Sequence, residues 1–131
     1  MKNIINVITG AVVTIATYFL GGWDIAIQSL LVFIVVDYIT GVLKAIYNKE
    51  LNSAVGVKGI IKKVGYLLVV AISVLLDKIA GNTGAIRNIV IYFFVANEGL
   101  SILENWGNLG LPLPKQLTEA LEQLKNNNSK K

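Results

Sequence analysis

Cysteine and histidine are both absent from the chain, and the two absences close off a large part of protein chemistry. Disulfides, thiolate nucleophiles, imidazole acid–base catalysis and the usual zinc and copper ligands are excluded together. Carboxylates and hydroxyls remain, but nothing in their spacing points to catalysis. An enzyme is the least expected class, and no cofactor or metal is implied. Charge is scarce as well. Asp, Glu, Lys and Arg make up 15% of the 131 residues, against about 25% in a typical soluble domain. Proline occurs twice, in Leu111-Pro112-Leu113-Pro114, where it ends any helix arriving from the N-terminal side.

What fills the chain instead is long apolar runs. Hydrophobic residues account for 54% of it, and the mean hydropathy is +0.63. The expected class is an all-α polytopic membrane protein, not a soluble domain. Four transmembrane helices are expected at about 4–20, 25–47, 64–80 and 85–105, with three spans as the alternative. Residues 1–105 then form the transmembrane domain. Residues 106–131 form a cytoplasmic amphipathic helix, on which Leu113, Leu117, Leu121 and Leu124 recur at helical spacing, followed by a disordered polar tail from Asn126. The helix is expected on the membrane surface or against the bundle.

The first run carries Gly10, Thr14, Thr17 and Gly21 on one helical face, a small-residue stripe suited to close helix packing. A cleaved signal peptide competes with that reading. Against it, one charge precedes the run and Gly21-Gly22-Trp23 is a poor cleavage site. The second run holds Asp37 at its centre, with Thr40, Gly41 and Lys44 on the same face. A carboxylate at that depth costs about 2.5–3.5 kcal/mol beside lipid, so it must face protein or water. Residues 48–63 read as a polar connection with Lys49, Lys58, Lys62 and Lys63, within which Ser53 begins a short helix. In the third run Tyr66, Ser73 and Asp77 share a face, and Gly81-Asn82-Thr83-Gly84 is a turn. The fourth run is the most polar. Arg87, Glu98, Ser101 and Asn105 fall on one side of it and Val90, Phe93 and Ile102 on the other, as in a span packed within a bundle. An interfacial helix is the alternative.

Charge settles the orientation. Four spans put Lys2, Lys44, Lys49, Lys58, Lys62, Lys63, Lys115, Lys125, Lys130 and Lys131 on one side and leave Lys78 and Arg87 opposite. The crowded side is expected to be cytoplasmic, with both termini there. The net charge of +4 is therefore an orientation signal, and no nucleic-acid partner is expected.

Several motifs then line up in order: Asp37-Tyr38-Ile39-Thr40-Gly41, Gly59-Ile60-Ile61-Lys62-Lys63, Asn97-Glu98-Gly99-Leu100-Ser101-Ile102-Leu103-Glu104-Asn105, and Leu111-Pro112-Leu113-Pro114. Together they resemble the phage-lysis and toxin-secretion holin family, over roughly residues 30–125. The resemblance implies a homo-oligomer in the cytoplasmic membrane of the bacterial host. Such proteins open lesions for an endolysin or a toxin, and their usual source is prophages of Gram-positive bacteria. Candidate oligomerisation or pore residues are Asp37, Tyr38, Thr40, Gly41, Lys44, Arg87, Glu98, Ser101 and Asn105. Two alternatives stand beside that. Asp37 pairs with Lys62, Lys63 or another helix inside the monomer, and Glu98, Ser101, Glu104 and Asn105 cap and solvate a helix end. Lys58, Lys62 and Lys63 are expected to set topology and touch anionic lipid. The rival functional classes are a small proton- or ion-coupled transporter and a membrane anchor for another protein.

Overall fold

The computed structural model describes residues 1–129 and consists of five helices, with no strand among the described residues. They are α1 (Lys2–Leu20), α2 (Ile25–Tyr47), α3 (Ser53–Ala80), α4 (Ala85–Asn108) and α5 (Lys115–Ser129). The first four are each long and apolar enough to cross a membrane. Exposed Val32, Val35, Ile39, Leu43, Leu68 and Ile72 cover the outside of α2 and α3, as a bundle solvated by lipid requires.

Local chemistry fixes the helix ends. Gly21 closes α1 in the left-handed conformation, at φ 81°. A Cβ there would lie 2.6 Å from the Arg87 Nε and 2.9 Å from Val74, so glycine is needed both for the turn and for the approach. Asp24 caps α2 by accepting from the Ile27 N–H at 3.1 Å, and Asn52 caps α3 by accepting from Val55 at 2.9 Å. That second cap corrects the expectation for residues 48–63. The polar connection is only the link before Ser53, and Lys58, Lys62 and Lys63 already ride on α3. Val55, Val57, Ile60 and Ile61 extend its apolar character, and Gly56 and Gly59 do not interrupt it. At 28 residues, α3 is about 42 Å long, well beyond the ~30 Å hydrocarbon layer, so its first turns project out of it.

The core occupies the half of the bundle next to the 21–24 and 81–84 links. Ala26, Ile27 and Leu30 of α2 meet Tyr66 and Val70 of α3 and Ile91 and Phe94 of α4. The rings of Tyr66 and Phe94 stack with centroids 4.3 Å apart. Helix α4 is central, packing extensively on α2 and also on α3. Its polar side faces inward as expected: Arg87, Glu98 and Asn105 are buried and Ser101 is half-buried.

The two outer helices settle points the sequence left open. On α1, Thr17 and Leu20 are half-buried and everything before them is exposed. Of the small-residue stripe, Gly10 has nothing within 4 Å of where a Cβ would be, and the Thr14 hydroxyl donates to its own helix, to the Gly10 carbonyl. The contacts with the other helices named among the described residues come from the Thr17–Gly21 end, with the Lys78 ammonium 3.9 Å from the centre of the Tyr18 ring and the Arg87 Nε hydrogen-bonded to the Leu20 carbonyl. Helix α5 folds back on α4. A Cβ on Gly99 would lie 2.9 Å from a methyl of Leu121 and 3.2 Å from Phe33, so glycine lets α5 seat at the α2–α4 seam. Helix continues through residues 126–129, where a disordered tail was expected. The part of that expectation on Lys130 and Lys131 lies outside the described residues.

Candidate functional site: a shared lysine at the end of a one-sided cleft

Asp37 lies about twelve residues beyond the start of α2 and Glu98 about thirteen beyond the start of α4, roughly 18–20 Å along each axis. These two helices run side by side in the same direction, so the two acids arrive at the same level. Lys63 reaches both from the antiparallel α3. Its Nζ lies 2.5 Å from the Asp37 Oδ2 and 2.9 Å from the Glu98 Oε2. All three side chains are withdrawn from the surface, at 12% exposure for Lys63, 13% for Asp37 and 2% for Glu98. Asn105 completes the network. Its Nδ2 donates to the Asp37 Oδ1 at 3.2 Å and to the Thr40 hydroxyl at 3.0 Å, while that hydroxyl donates back to the Val36 and Asp37 carbonyls.

The arrangement meets the cost of burying a charge in the way that low dielectric demands, by pairing it and hydrogen-bonding the remaining lone pairs. It is unbalanced nonetheless. Two carboxylates share one ammonium, so with all three ionised the cluster keeps one excess negative charge. The cluster stands at the inner end of a cleft of about 450 Å3 lined by Tyr38, Gly41, Lys44, Lys62, Ser101 and others. This cleft opens towards the 48–52 link, at the end of the bundle where α4 also finishes. Beyond the cluster the tightly packed core fills the other half.

A second polar constellation lies at that far end. Arg87 grips Asp24 with both terminal nitrogens, at 2.8 and 3.0 Å, and its Nε donates to the Leu20 carbonyl at 2.7 Å. The guanidinium beside it holds the Asp24 carboxyl below the usual aspartate range, the hydrogen bond outweighing the small opposing effect of burial. Asp77, 4% exposed, accepts from the backbone N–H groups of Ile86 and Arg87 at 2.9 and 2.8 Å. A carboxylate from the end of α3 thus caps the start of α4, where the helix dipole favours negative charge. Together the two pairs tie α1, α2, α3 and α4 at one end.

The candidate residues therefore separate. Asp37, Thr40, Glu98 and Asn105 come together, while Tyr38, Gly41, Lys44 and Ser101 line the cleft beside them. Arg87 belongs to the opposite end, about eleven residues from Glu98 along α4. Lys63 leaves the topology and lipid-contact set expected for it and takes the alternative, pairing with Asp37 inside the chain and with Glu98 besides, while Lys58 and Lys62 stay exposed. Sequence reasoning missed Asp24 and Asp77 as functional positions. Asp24 carried a readable signal, an Asp immediately before an apolar run, which is a helix N-cap pattern.

A bundle of four membrane-length helices with a buried charge network defines a polytopic helical membrane protein. Similarity to known proteins narrows this to a family. Residues 14–126 match the bacteriophage holin family, and the chain belongs to it. An uncharacterised 14.9 kDa protein of Clostridium perfringens is 47% identical over 130 residues, covering 96% of this chain and 98% of the relative. A "Probable holin" of Bacillus phage phi105 is 35% identical over 117 residues, covering 89% and 87% respectively. A Listeria monocytogenes protein is 44% identical over 100 residues, covering 76% and 71%. No solved structure matches.

Proposed function

We propose that the chain acts as a holin. Copies assemble in the cytoplasmic membrane of a bacterial host, with both termini inside, and open lesions through which an endolysin or a toxin leaves. It does so without enzymatic chemistry. The observation that carries this reading, beyond family membership, is that among the described residues the main cleft of one copy does not run through to the other end of the bundle. That cleft ends at Lys63; a second, apolar hollow of about 360 Å3 lined by Ile34, Val35 and Leu67 adjoins Lys63 between α2 and α3, and Ile27, Leu30, Val70, Ile91 and Phe94 pack the bundle beyond both. A passage wide enough for a folded enzyme needs walls contributed by many copies.

A lone copy also leaves unmet demands that assembly answers. Among the described residues, nothing lies within 4 Å of a Cβ placed on Gly10, and Thr14 is exposed with its hydroxyl hydrogen-bonded within α1; small faces of this kind let membrane helices pack closely. Helix α5 seats Leu121 against Gly99, well inside the apolar length of α4, with Glu119 and Glu122 exposed beside it. Facing hydrocarbon, each such carboxylate costs about 2.5–3.5 kcal/mol, a cost relieved when neighbouring copies flank α5. Interhelical polar contacts in membranes average only about 0.6 kcal/mol, so single contacts are weak and a repeated assembly is what holds. The Asp37–Thr40–Gly41–Lys44 face is turned into the bundle and its cleft, so it contributes to subunit contacts or to the wet side of an opening only after α2, α3 and α4 separate.

Inducible expression tests the function. Induced alone, the chain should stop growth abruptly, and with co-expressed endolysin the culture should clear. Graded solute or pH effects would indicate a transporter, and the absence of both an anchor. Asp37→Leu should abolish lysis while leaving insertion intact. Unchanged lysis timing in that variant would remove Asp37 from the mechanism.

A further inference from the structure

We infer that the mouth of the cleft is a binding site for the phosphate of an anionic phospholipid headgroup, held between Lys44 of α2 and Lys62 of α3. The two lysines line the same cleft from adjacent helices. Neither forms a salt bridge among the described residues, the Lys62 ammonium lying only at the outer limit of a cation–π contact, 5.9 Å from the centre of the Tyr66 ring, in contrast to Lys63, whose charge is engaged by Asp37 and Glu98. Their levels agree. Lys44 lies about nineteen residues beyond the start of α2 and Lys62 about eighteen before the end of α3, roughly 27–29 Å along each helix. Measured from the far end of the bundle, that is the opposite edge of a ~30 Å hydrocarbon layer, the depth at which lipid phosphates begin.

The rest of the cleft suits the same ligand. Helix α3 starts at its mouth, and the partial positive charge of its first turn adds to the two ammonium groups. Leu51 and Val55 offer apolar wall to the glycerol and the first methylenes of an acyl chain. Glu50 is the opposing charge at the rim, one carboxylate against two cations there, while the Lys63 cluster with its excess negative charge lies deeper, at the inner end of the cleft. Lys58 does not line the cleft, so the site is distinct from a diffuse basic surface. The inference depends on membrane insertion but not on lesion formation, and a failed lysis assay would leave it untouched.

The test uses the full chain carrying Trp23→Phe, so that Trp106, beside the Asn105 of the cleft wall, is the fluorophore. It is reconstituted in phosphatidylcholine vesicles containing brominated phosphatidylglycerol or brominated phosphatidylcholine, and quenching gives the relative affinity. Juxtamembrane lysines contribute about fivefold each towards anionic lipid, so the expected preference is roughly 25-fold. Lys44→Gln with Lys62→Gln should bring it to within about twofold of unity, the corresponding Arg pair should restore it, and Lys58→Gln should leave it unchanged. Three results would overturn the assignment: no preference in the parent, a full preference in the double Gln variant, or loss of the preference in millimolar inorganic phosphate at constant ionic strength. The last would make the ligand a free anion instead of a lipid.

Discussion

Replacing Lys63 with methionine keeps the length of the side chain and removes the cation that Asp37 and Glu98 share. Both contacts are short, at 2.5 and 2.9 Å, and Glu98 is 2% exposed, so water does not take over the lost role. A hydrogen bond to a charged group contributes about 1.5–3 kcal/mol, and stranding one member of a buried ion pair costs about 3–5 kcal/mol. Because Asn105 still serves Asp37, the loss falls chiefly on Glu98, and we expect a total of about 4 kcal/mol. Unfolding free energy in mixed detergent micelles, followed by circular dichroism, reads this directly. Adding Asp37→Asn and Glu98→Gln to Lys63→Met should recover most of the loss, because a neutral polar cluster has no charge left to strand. The reasoning fails if Lys63→Met unfolds within about 1 kcal/mol of the parent, or if the triple variant is no more stable than the single.

At the other end, Arg87→Lys keeps the charge but loses the two-nitrogen grip on Asp24 and the donor to Leu20. It should cost about 2 kcal/mol in the same unfolding assay, and a loss indistinguishable from zero would show that the grip is dispensable. Gly99→Leu should unseat α5, because even a Cβ meets Leu121 at 2.9 Å. An overpacking cost of about 1–3 kcal/mol predicts at least fivefold faster proteolysis within α5, whereas unchanged cleavage would place α5 elsewhere. The Asp24 carboxyl titrates below its usual range, so its contribution is present above about pH 4 and fades as pH falls through its lowered folded value. Asp24→Asn should therefore flatten part of the acid limb of stability against pH, and coincident limbs would contradict the pairing.

How far the fold could be read in the sequence follows from which forces are local. Apolar runs located the four spans because hydrocarbon selects on hydropathy alone, and the inward polar side of α4 followed from its 3.6-residue period. The first turns of α3 were read as a connection because charge at Lys58, Lys62 and Lys63 outweighed the helix start at Ser53 and the apolar Val55, Val57, Ile60 and Ile61. The fold-back of α5 was left open because an amphipathic helix fits a membrane surface and a bundle groove equally well by pattern.

The sequence by itself determined that this is a membrane bundle, that Asp37 and Glu98 must be hidden from lipid, and which family it joins. Only the tertiary structure decided what hides them. Lys62 and Lys63 are adjacent and alike in composition, yet successive residues point about 100° apart on a helix. The rotation of α3 against α2 and α4, set by the packing of Tyr66, Val70, Ile91 and Phe94, turns Lys63 to the acids and leaves Lys62 at the cleft. Likewise Arg87 and Glu98 share a helical face, but the axial rise of α4 separates them into different networks, one tying the bundle end and one buried within it. Hydropathy is a property of each residue alone, whereas a charge pair is a property of where three helices meet.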